Sequence, residues 1–166
     1  ACFLEMMRAI KASEPQRDVI FTANTGHELG HIGLDHYLDT HAALVQDALL
    51  WIHLGANFAA RYDPGVRLQY SDEAARSRLR PWLEKNAIEP DAETPTGERP
   101  LGEARNIFDG GGRYLSILGR NGLFHHPDDL WPDAVNPRET TKWINAFVAL
   151  GVELAGSAEQ PHSELN

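Results

Sequence analysis

The stretch TGHELGHIGLDH, residues 25–36, decides which fold and which chemistry this chain has. It contains the pattern HExxH, in which His27 and His31 flank Glu28 and two further residues. On a helix, two histidines one turn apart bind zinc together, and the glutamate activates a water molecule. After a buried strand, the same letters form a loop that leads from the strand into a helix. The two alternatives give the three residues different roles.

The sequence favours the loop over the helix. The helix would contain Gly26, Gly30 and Gly33, and each glycine costs ~1 kcal/mol relative to alanine. In the metzincin proteases a third histidine follows the second by about six residues, whereas His36 follows His31 by five. Both methionines lie upstream of the motif, so the methionine turn of those proteases has no counterpart. We therefore expect a strand-to-helix loop, and a HExxH zinc metalloprotease is the alternative.

Apolar runs on either side of the motif predict a sheet that is buried on both faces. RDVIFTA (17–23), ALLWIHLGA (48–56) and RYLSILG (113–119) are almost continuously apolar, which is typical of inner strands in a mostly parallel sheet. VRLQY (66–70) is a further candidate strand. We expect the cores of the three long runs, VIFTA, LLWIH and YLSIL, to be neighbouring inner strands.

Helical periodicity and capping residues predict helices around these strands. The predicted helices cover 1–13, 32–45, 72–86 and 137–155. Pro81 should kink or break the third helix, and Asn136 should cap the last one. The glycine- and proline-rich residues 89–112 predict a long loop. The pattern favours an α/β fold, namely a three-layer sandwich with a mostly parallel central sheet and helices on both faces.

Length and composition indicate a single globular domain. The chain has 166 residues, of which 42% are hydrophobic and 23% are charged. The net charge of −9 argues against nucleic acid and anionic membranes as partners. No apolar run reaches the ~20 residues that a membrane-spanning helix needs. We expect one α/β domain over residues 1–156 and a C-terminal tail over residues 157–166, which contains His162.

Metal-ligating side chains follow three of the predicted strands. His27 and Glu28 come after the first strand, His53 lies at the end of the second, and His125 follows the third. In open α/β sheets, ligands bind beyond the carboxyl ends of the strands. We therefore expect these side chains to meet at one rim of the sheet and to form a metal site. Three histidines spaced along one helix face are predicted to have structural or surface roles, namely His31, His36 and His41.

The strands and the loops that follow them resemble a known family, the di-zinc aminopeptidases of the bacterial leucyl aminopeptidase and glutamate carboxypeptidase type. RDVIFTANTGHELGHIGLDHYL (17–38) resembles that family's strand followed by Gly-Glu-Glu-x-Gly-Leu-x-Gly-Ser. LLWIHLGAN (49–57) resembles the next strand, which ends in a metal ligand and glycine. YLSILGRNGLFHHPDDLWPDAVN (114–136) resembles the final strand and its His-Thr/His-Pro-x-Asp loop. The resemblance covers most of residues 3–155 and implies a zinc-exopeptidase-like fold.

The resemblance implies a two-zinc centre and gives each candidate residue a role. Glu28 and His125 correspond to ligands of one zinc, and Asp129 closes the loop motif. His53 stands where the family has an aspartate ligand of the other zinc, and imidazole can replace carboxylate on zinc. His27 stands where the family has its general base, and a neutral imidazole can accept a proton from water.

The implied function is hydrolysis of a peptide or amide bond in a small substrate by metal-activated water. The family places a further histidine ligand and a bridging aspartate upstream, and residues 1–26 contain no counterpart of them. We therefore expect the C-terminal portion of a longer protein, which by itself binds zinc weakly and has no appreciable peptidase activity. Apolar surface left uncovered should pair with a second copy, as a homo-oligomer, or with a second chain. The alternative is a binding or interaction domain of the same fold without catalysis.

Overall fold

The computed structural model describes residues 1–86 and 88–157, and it shows an α/β fold. The helices and strands follow one another along the chain as α1 (Cys2–Ala12), a 3₁₀ turn (His27–Leu29), α2 (Ile32–Thr40), α3 (Ala43–Asp47), β1 (Trp51–Leu54), β2 (Gly65–Tyr70), α4 (Glu73–Lys85), β3 (Ala92–Thr94), α5 (Ala104–Asp109), β4 (Tyr114–Arg120) and α6 (Pro137–Gly156). The predicted tail, including His162, lies outside the described residues apart from Ser157.

The four described strands form one open, mostly parallel sheet with the order β1-β4-β2-β3. β1 runs parallel to β4 and β2 runs parallel to β3, while β2 and β4 are antiparallel. Ser116 of β4 lies opposite His53 of β1 on one side and opposite Gln69 of β2 on the other. Because β1 and β4 are parallel, their carboxyl ends lie at the same rim of the sheet.

One face of the sheet carries the larger hydrophobic core. Leu68, Leu115 and Ile117 are fully buried there against side chains of α1, α4 and α6. Phe147 of α6 is also fully buried in this core. Complete burial of an apolar side chain of this size stabilises the fold by ~1.5–3 kcal/mol.

The opposite face carries a smaller hydrophobic cluster and several polar residues. Tyr114 of β4 packs there with Ile107 of α5 and Val45 of α3. Because side chains alternate along a strand, Ser116 points to the same face as Tyr114. The packing of α5 on this face fixes the residue before the helix, Glu103, near the rim where β1 ends.

The first predicted strand does not form. Residues 18–26 have no regular secondary structure, and VIFTA (19–23) is not part of the sheet. Phe21 packs on helix α1 instead, since its ring lies edge-on to that of Phe3 with centroids 5.3 Å apart. Ile20 is 57% exposed, which an inner strand buried on both faces would not allow. The prediction of VIFTA as an inner strand is therefore wrong.

The other predicted strands are confirmed. LLWIH (49–53) and YLSIL (114–118) overlap β1 and β4, which are neighbours, and VRLQY corresponds to most of β2. In the described sheet β1 is an edge strand, so the expected inner position of LLWIH is wrong. The last helix is confirmed together with its cap, because Asn136 Oδ1 accepts a hydrogen bond from the backbone N–H of Arg138 at 3.1 Å. In these elements the hydrophobic pattern and, for the last helix, the capping residue indicate the same secondary structure.

Two further predictions need correction in the middle of the chain. Residues 89–112 are not one long loop, because β3 and α5 lie within them. The helix predicted over 32–45 is divided into α2 and α3 by a turn at His41 and Ala42. The apolar face of α5 escaped the sequence pattern because this helix has only six residues.

Pro81 does not break α4, which continues for four residues beyond it. The helix is capped by Asp72, whose Oδ1 accepts from the backbone N–H of Ala75 at 2.8 Å. Leu79 and Leu83, one on each side of the proline, are both buried in the larger core. Packing of both halves on the same core therefore outweighs the hydrogen bond that the proline lacks.

Exposed apolar side chains cluster on α1 and on the segment after it. They are Leu4, Met7, Val19 and Ile20. Pairing of this surface with a second copy or a second chain stays a prediction. No helix among the described residues is long and apolar enough to cross a membrane.

Candidate metal centre

The HExxH segment forms a tight turn rather than a helix. His27–Leu29 is a single 3₁₀ turn, and helix α2 begins only at Ile32. Gly26 and Gly30 on either side of the turn have φ of 74° and 86°, in the left-handed region that glycine adopts without strain. The expected loop into a helix is confirmed, although no strand precedes it, and the helical HExxH arrangement does not form.

The turn brings His27 and His31 together. Their rings stack with centroids 5.0 Å apart and 26° between the ring planes. His31 has φ of 70°, a left-handed conformation that costs a residue with a Cβ ~1–2 kcal/mol. The pairing of the two histidines therefore comes from two successive left-handed residues, not from helical periodicity.

Asn106 and Asp35 fix the tautomer of His31. Asn106 Nδ2 donates a hydrogen bond to Asp35 Oδ1, so Asn106 Oδ1 faces Nδ1 of His31 at 2.8 Å. Because a carbonyl oxygen only accepts, His31 Nδ1 carries the proton and its Nε2 keeps a lone pair. Metal-binding histidines are oriented in the same way, through an oxygen acceptor on the other ring nitrogen.

Glu103 joins two histidines that are far apart in the sequence. Its Oε1 lies 2.7 Å from His27 Nδ1, and its Oε2 lies 3.2 Å from His53 Nε2. The hydrogen bond from His53, followed by the one from His27, holds the pKa of Glu103 well below its ordinary value despite partial burial. The same contact with Glu103 raises the pKa of His27. Glu103 is therefore an anion at neutral pH and attracts positive charge to this rim.

His53 is the last member of a buried chain of hydrogen bonds. Gln69 Nε2 donates to Ser116 Oγ at 2.9 Å, and Ser116 Oγ lies 2.8 Å from His53 Nδ1. The amide of Gln69 is oriented by its Oε1, which accepts from the backbone N–H of Leu101 at 2.8 Å. Since Nε2 of a neutral His53 donates to the Glu103 carboxylate, Nδ1 accepts from the Ser116 hydroxyl. The three side chains all donate towards Glu103 and stabilise its negative charge.

His27, His31 and Glu103 can hold one metal ion. Their ligand atoms all lie within 4.8 Å of one another. Ligand atoms on a tetrahedral zinc are ~3.4 Å apart, so the three groups need to close by no more than ~1.4 Å. Two histidines and a glutamate are the protein ligands of several catalytic zinc sites, which leave a fourth position open. The His27 side chain is 55% exposed, which places the open side of the cluster towards solvent.

The predicted ligands Glu28 and His125 also lie side by side. Glu28 Oε1 is 3.3 Å from His125 Nε2, and the two side chains are 71% and 63% exposed. The ring of Phe124 stacks on His125 with centroids 3.9 Å apart. The structure therefore brings this pair together, and its assignment as a metal site stays a prediction.

Two other predicted residues lie close to Glu103. His27 and His53 contact its two carboxylate oxygens, as described above. The base role of His27 and the ligand role of His53 stay predictions. Asp129 accepts a hydrogen bond from Asn121 Nδ2 at 2.9 Å, so it orders the loop that carries His125.

The three histidines expected to be structural or exposed have different environments. His36 and His41 are exposed, in agreement with the expected surface role. His31 is 5% exposed and belongs to the cluster of possible ligands. It does not share a helix face with the other two, because α2 begins after it.

Sequence reasoning missed Glu103 and Asn106. Both lie within residues 89–112, for which the sequence predicts a loop. Their contacts with the histidines of the turn join residues 76 and 75 positions apart, and no local spacing reports such a pair. The glycine directly before Glu103 is the one local feature that accompanies this contact, because a Cβ on Gly102 would lie 2.8 Å from Cε1 of His53.

A cleft of about 920 Å³ opens over this rim. His27, Glu28 and Glu103 line one part of the cleft, and Leu118 and Arg67 line another. Clefts of roughly 300–1,000 Å³ are typical of sites for small molecules and short peptides. The candidate ligands therefore face a space that is large enough for a substrate.

Comparison with known protein families, with curated proteins and with solved structures finds no match to this chain. The resemblance to the di-zinc aminopeptidases therefore gains no support from a matching family, protein or structure. What the chain does has to be inferred from the residues of the rim.

Proposed function

We propose that this protein is a zinc-dependent hydrolase that cleaves a peptide or amide bond in a small substrate. His27, His31 and Glu103 hold the zinc, and the cleft beside them binds the substrate. The observation that carries the proposal is the approach of these three ligand groups to within 4.8 Å of one another. The fold proposed with it is the three-layer sandwich, with α1, α4 and α6 on one face of the sheet and α3 and α5 on the other.

Two of the three groups are already close to the form that zinc requires. His31 presents an unprotonated Nε2, because its Nδ1 donates to Asn106. Glu103 is ionised, since two histidines donate to it. His27 Nδ1 donates a hydrogen bond to Glu103, and this nitrogen would have to release its proton in order to act as a ligand.

Bound zinc would supply a Lewis acid, which polarises a carbonyl group and lowers the pKa of a coordinated water to about 7. Glu28 lines the same cleft next to His27 and is the proposed acceptor of the proton from the attacking water. His125, 3.3 Å away, orients the Glu28 carboxylate and later carries the proton towards the leaving group. His27 is then a ligand, and the role of base passes to Glu28.

The second zinc of the resembling family would lie at the Glu28–His125 pair. Two protein ligands are one fewer than the three that catalytic zinc sites usually have. A second ion would therefore bind more weakly than the first, and the proposed chemistry requires only the first.

A binding or interaction domain without catalysis is the second candidate function. The observation in its favour is that the cluster is already internally satisfied, because both Glu103 oxygens have a histidine partner. Such a cluster can stabilise the rim without a metal ion. In that case the cleft would bind a ligand that it does not change.

Zinc titration of matched variants tests the proposal. We expect His27→Ala, His31→Ala and Glu103→Gln each to weaken zinc binding more than about 100-fold, because loss of a mere orienting partner already costs 10–100-fold. The control is His36→Ala, which changes an exposed histidine five residues from His31 and should leave the affinity unchanged. Glu28→Ala and His125→Ala should retain the tight site.

Two outcomes would contradict the proposal. Zinc affinity that depends on Glu28 and His125 but not on His31 would favour the ligands predicted from the sequence. Tight zinc binding through His27, His31 and Glu103, without release of p-nitroaniline from amino-acid p-nitroanilides and without new amino groups from short peptides that have a free C-terminus, would favour the binding domain.

A further inference from the structure

Arg67 is a cation without a partner in the substrate cleft. No hydrogen bond or ion pair joins its guanidinium to any residue in the described part of the chain. The residue is half-buried and lines the cleft. A guanidinium is always charged and carries five N–H donors, and those of Arg67 stay accessible to solvent and to a ligand in the cleft.

Several other arginines of this acidic chain are paired. Arg120, which lines the same cleft, donates to Asp63 Oδ1 at 3.1 Å and to the backbone carbonyl of Pro64 at 3.3 Å. Arg76 donates to Glu93 at 3.0 Å on the other face of the sheet from Arg67. With 24 acidic residues against 15 basic ones, an arginine without an acidic partner is not explained by a shortage of carboxylates.

The acid that precedes the β3 partner of Arg67 is already engaged through one of its oxygens. Ala92 lies opposite Arg67 in the β2–β3 ladder, and Asp91 precedes it. Asp91 Oδ2 accepts from the backbone N–H of Val66 at 2.6 Å. Leu118, which lies opposite Arg67 on β4, is apolar. The surroundings of the guanidinium therefore leave its donors free for a ligand.

The strand register places Arg67 on the face that carries the metal cluster. Arg67 and Gln69 are two residues apart on β2, so their side chains point to the same face. Gln69 bonds to Ser116, which contacts His53 on that face. Arg67 lies two strands across and two residues along from His53, which corresponds to ~12 Å between their Cα atoms.

We propose that Arg67 binds the free carboxylate of the substrate, so that the hydrolase acts on short peptides with an unblocked C-terminus. This proposal rests on the proposed function, because it assigns one end of the substrate to the metal cluster and the other to Arg67. A carboxylate matches the planar fork of a guanidinium with two parallel hydrogen bonds. About three residues of extended chain span ~12 Å, so a probe of tripeptide length matches the part of the sheet between His53, which contacts Glu103, and Arg67.

Binding of N-acetyl-trialanine and of its C-terminal amide tests the proposal by isothermal titration calorimetry. The two probes differ only in the carboxylate, and metal-free protein leaves both of them intact. We expect the acid to bind at least about 10-fold more tightly than the amide, since hydrogen bonds to charged groups contribute that much. Arg67→Gln should remove the preference, and Arg67→Lys should keep part of it.

Arg120→Gln is the matched control, because it removes a cation from the same cleft that is already paired with Asp63. The preference for the acid should survive this change. Thermal unfolding of each variant shows whether it is folded. Equal binding of acid and amide, an acid preference that persists in Arg67→Gln, or no binding of the acid at millimolar concentration would overturn the proposal.

Zinc titration of Arg67→Gln separates this proposal from the proposed function. The variant should bind zinc as the wild-type chain does, because Arg67 is not in the ligand cluster. An acid preference in a protein that binds no zinc would support the carboxylate site and refute the hydrolase. Zinc binding with no acid preference would support the hydrolase and refute the carboxylate site.

Discussion

The two faces of the sheet use the same strands in different ways. On one face, Leu68 and Leu115 are completely buried among apolar side chains of the surrounding helices. On the other face, Gln69 and Ser116 are just as completely buried but are joined by a hydrogen bond of 2.9 Å. Because side chains alternate along a strand, neighbouring residues stabilise the fold and support the site in turn.

The difference between the faces lies in what burial requires. An apolar side chain needs only contact area, and a substitution of similar volume usually costs less than ~1.5 kcal/mol. A buried polar group needs a partner in a fixed direction, and its loss costs ~1–3 kcal/mol. The apolar face therefore determines how stable the fold is, and the polar face determines where the carboxylate of Glu103 lies.

The largest effect on stability should come from the apolar face. Phe147→Ala removes a fully buried ring from the core between α6 and the sheet and should lower the free energy of unfolding by ~3–5 kcal/mol. Urea denaturation followed by circular dichroism measures the loss. Phe124→Ala is the control, because Phe124 is 54% exposed in the loop near the site and should cost less than ~1 kcal/mol. Similar losses for the two variants would show that the core does not lie where the structure places it.

A smaller effect on stability, with a larger one on the site, should come from the polar face. Gln69→Met keeps the volume of the side chain but leaves the backbone N–H of Leu101 and the hydroxyl of Ser116 without their partner. The free energy of unfolding should fall by ~1–3 kcal/mol. Zinc affinity should fall about 10–100-fold, because His53 and Glu103 lose their orienting chain.

Thr94→Val is the matched control for this substitution. Thr94 Oγ1 donates to Gln69 Oε1 at 3.2 Å, at the end of the chain that is remote from Glu103. Its loss should leave zinc affinity within about twofold of the wild-type value and cost less than ~1 kcal/mol of stability. A Gln69→Met protein that is less stable but binds zinc normally would show that the chain supports the fold only.

Local sequence patterns predicted a strand correctly where the apolar segment also has a neighbouring strand to pair with. LLWIH and YLSIL are largely apolar and pair with each other, and both were predicted correctly as strands, although β1 lies at the edge of the described sheet. VIFTA has the same composition, yet it packs through Phe21 on Phe3 of α1. Apolar composition predicts that a segment is covered, but it does not show what covers it, and Val19 and Ile20 of VIFTA are in fact exposed. The covering element depends on contacts between distant residues.

The candidate site was predicted only in part for a related reason. His27, Glu28, His53 and His125 were recognised because each follows an apolar run, and the structure brings them together in two groups. Glu103 was missed because its partners precede it by 76 and 50 residues. The role of His31 depends on a left-handed residue and on Asn106, neither of which a spacing rule describes.

The smallest expected effect concerns Cys2, because the rate at which its thiol is labelled measures how closed the apolar face is. Burial, opposed by the nearby N-terminal charge, raises the pKa of this thiol from 9.0 to about 11. At pH 8 such a pKa leaves about one thiol in a thousand ionised, against about one in ten for an ordinary cysteine, and the thiolate is the reactive form. Labelling by 5,5′-dithiobis(2-nitrobenzoic acid) should therefore be at least about 100-fold slower in the native protein than in 8 M urea, and it should accelerate between pH 8 and pH 10.

In the core variant Phe147→Ala, native-state labelling should be faster, because Cys2 belongs to the same hydrophobic core. In Gln69→Met, which changes the opposite face, it should rise much less. Equal acceleration in both variants would mean that the two faces open together, and rapid labelling of the wild-type protein would mean that α1 is not packed on the core.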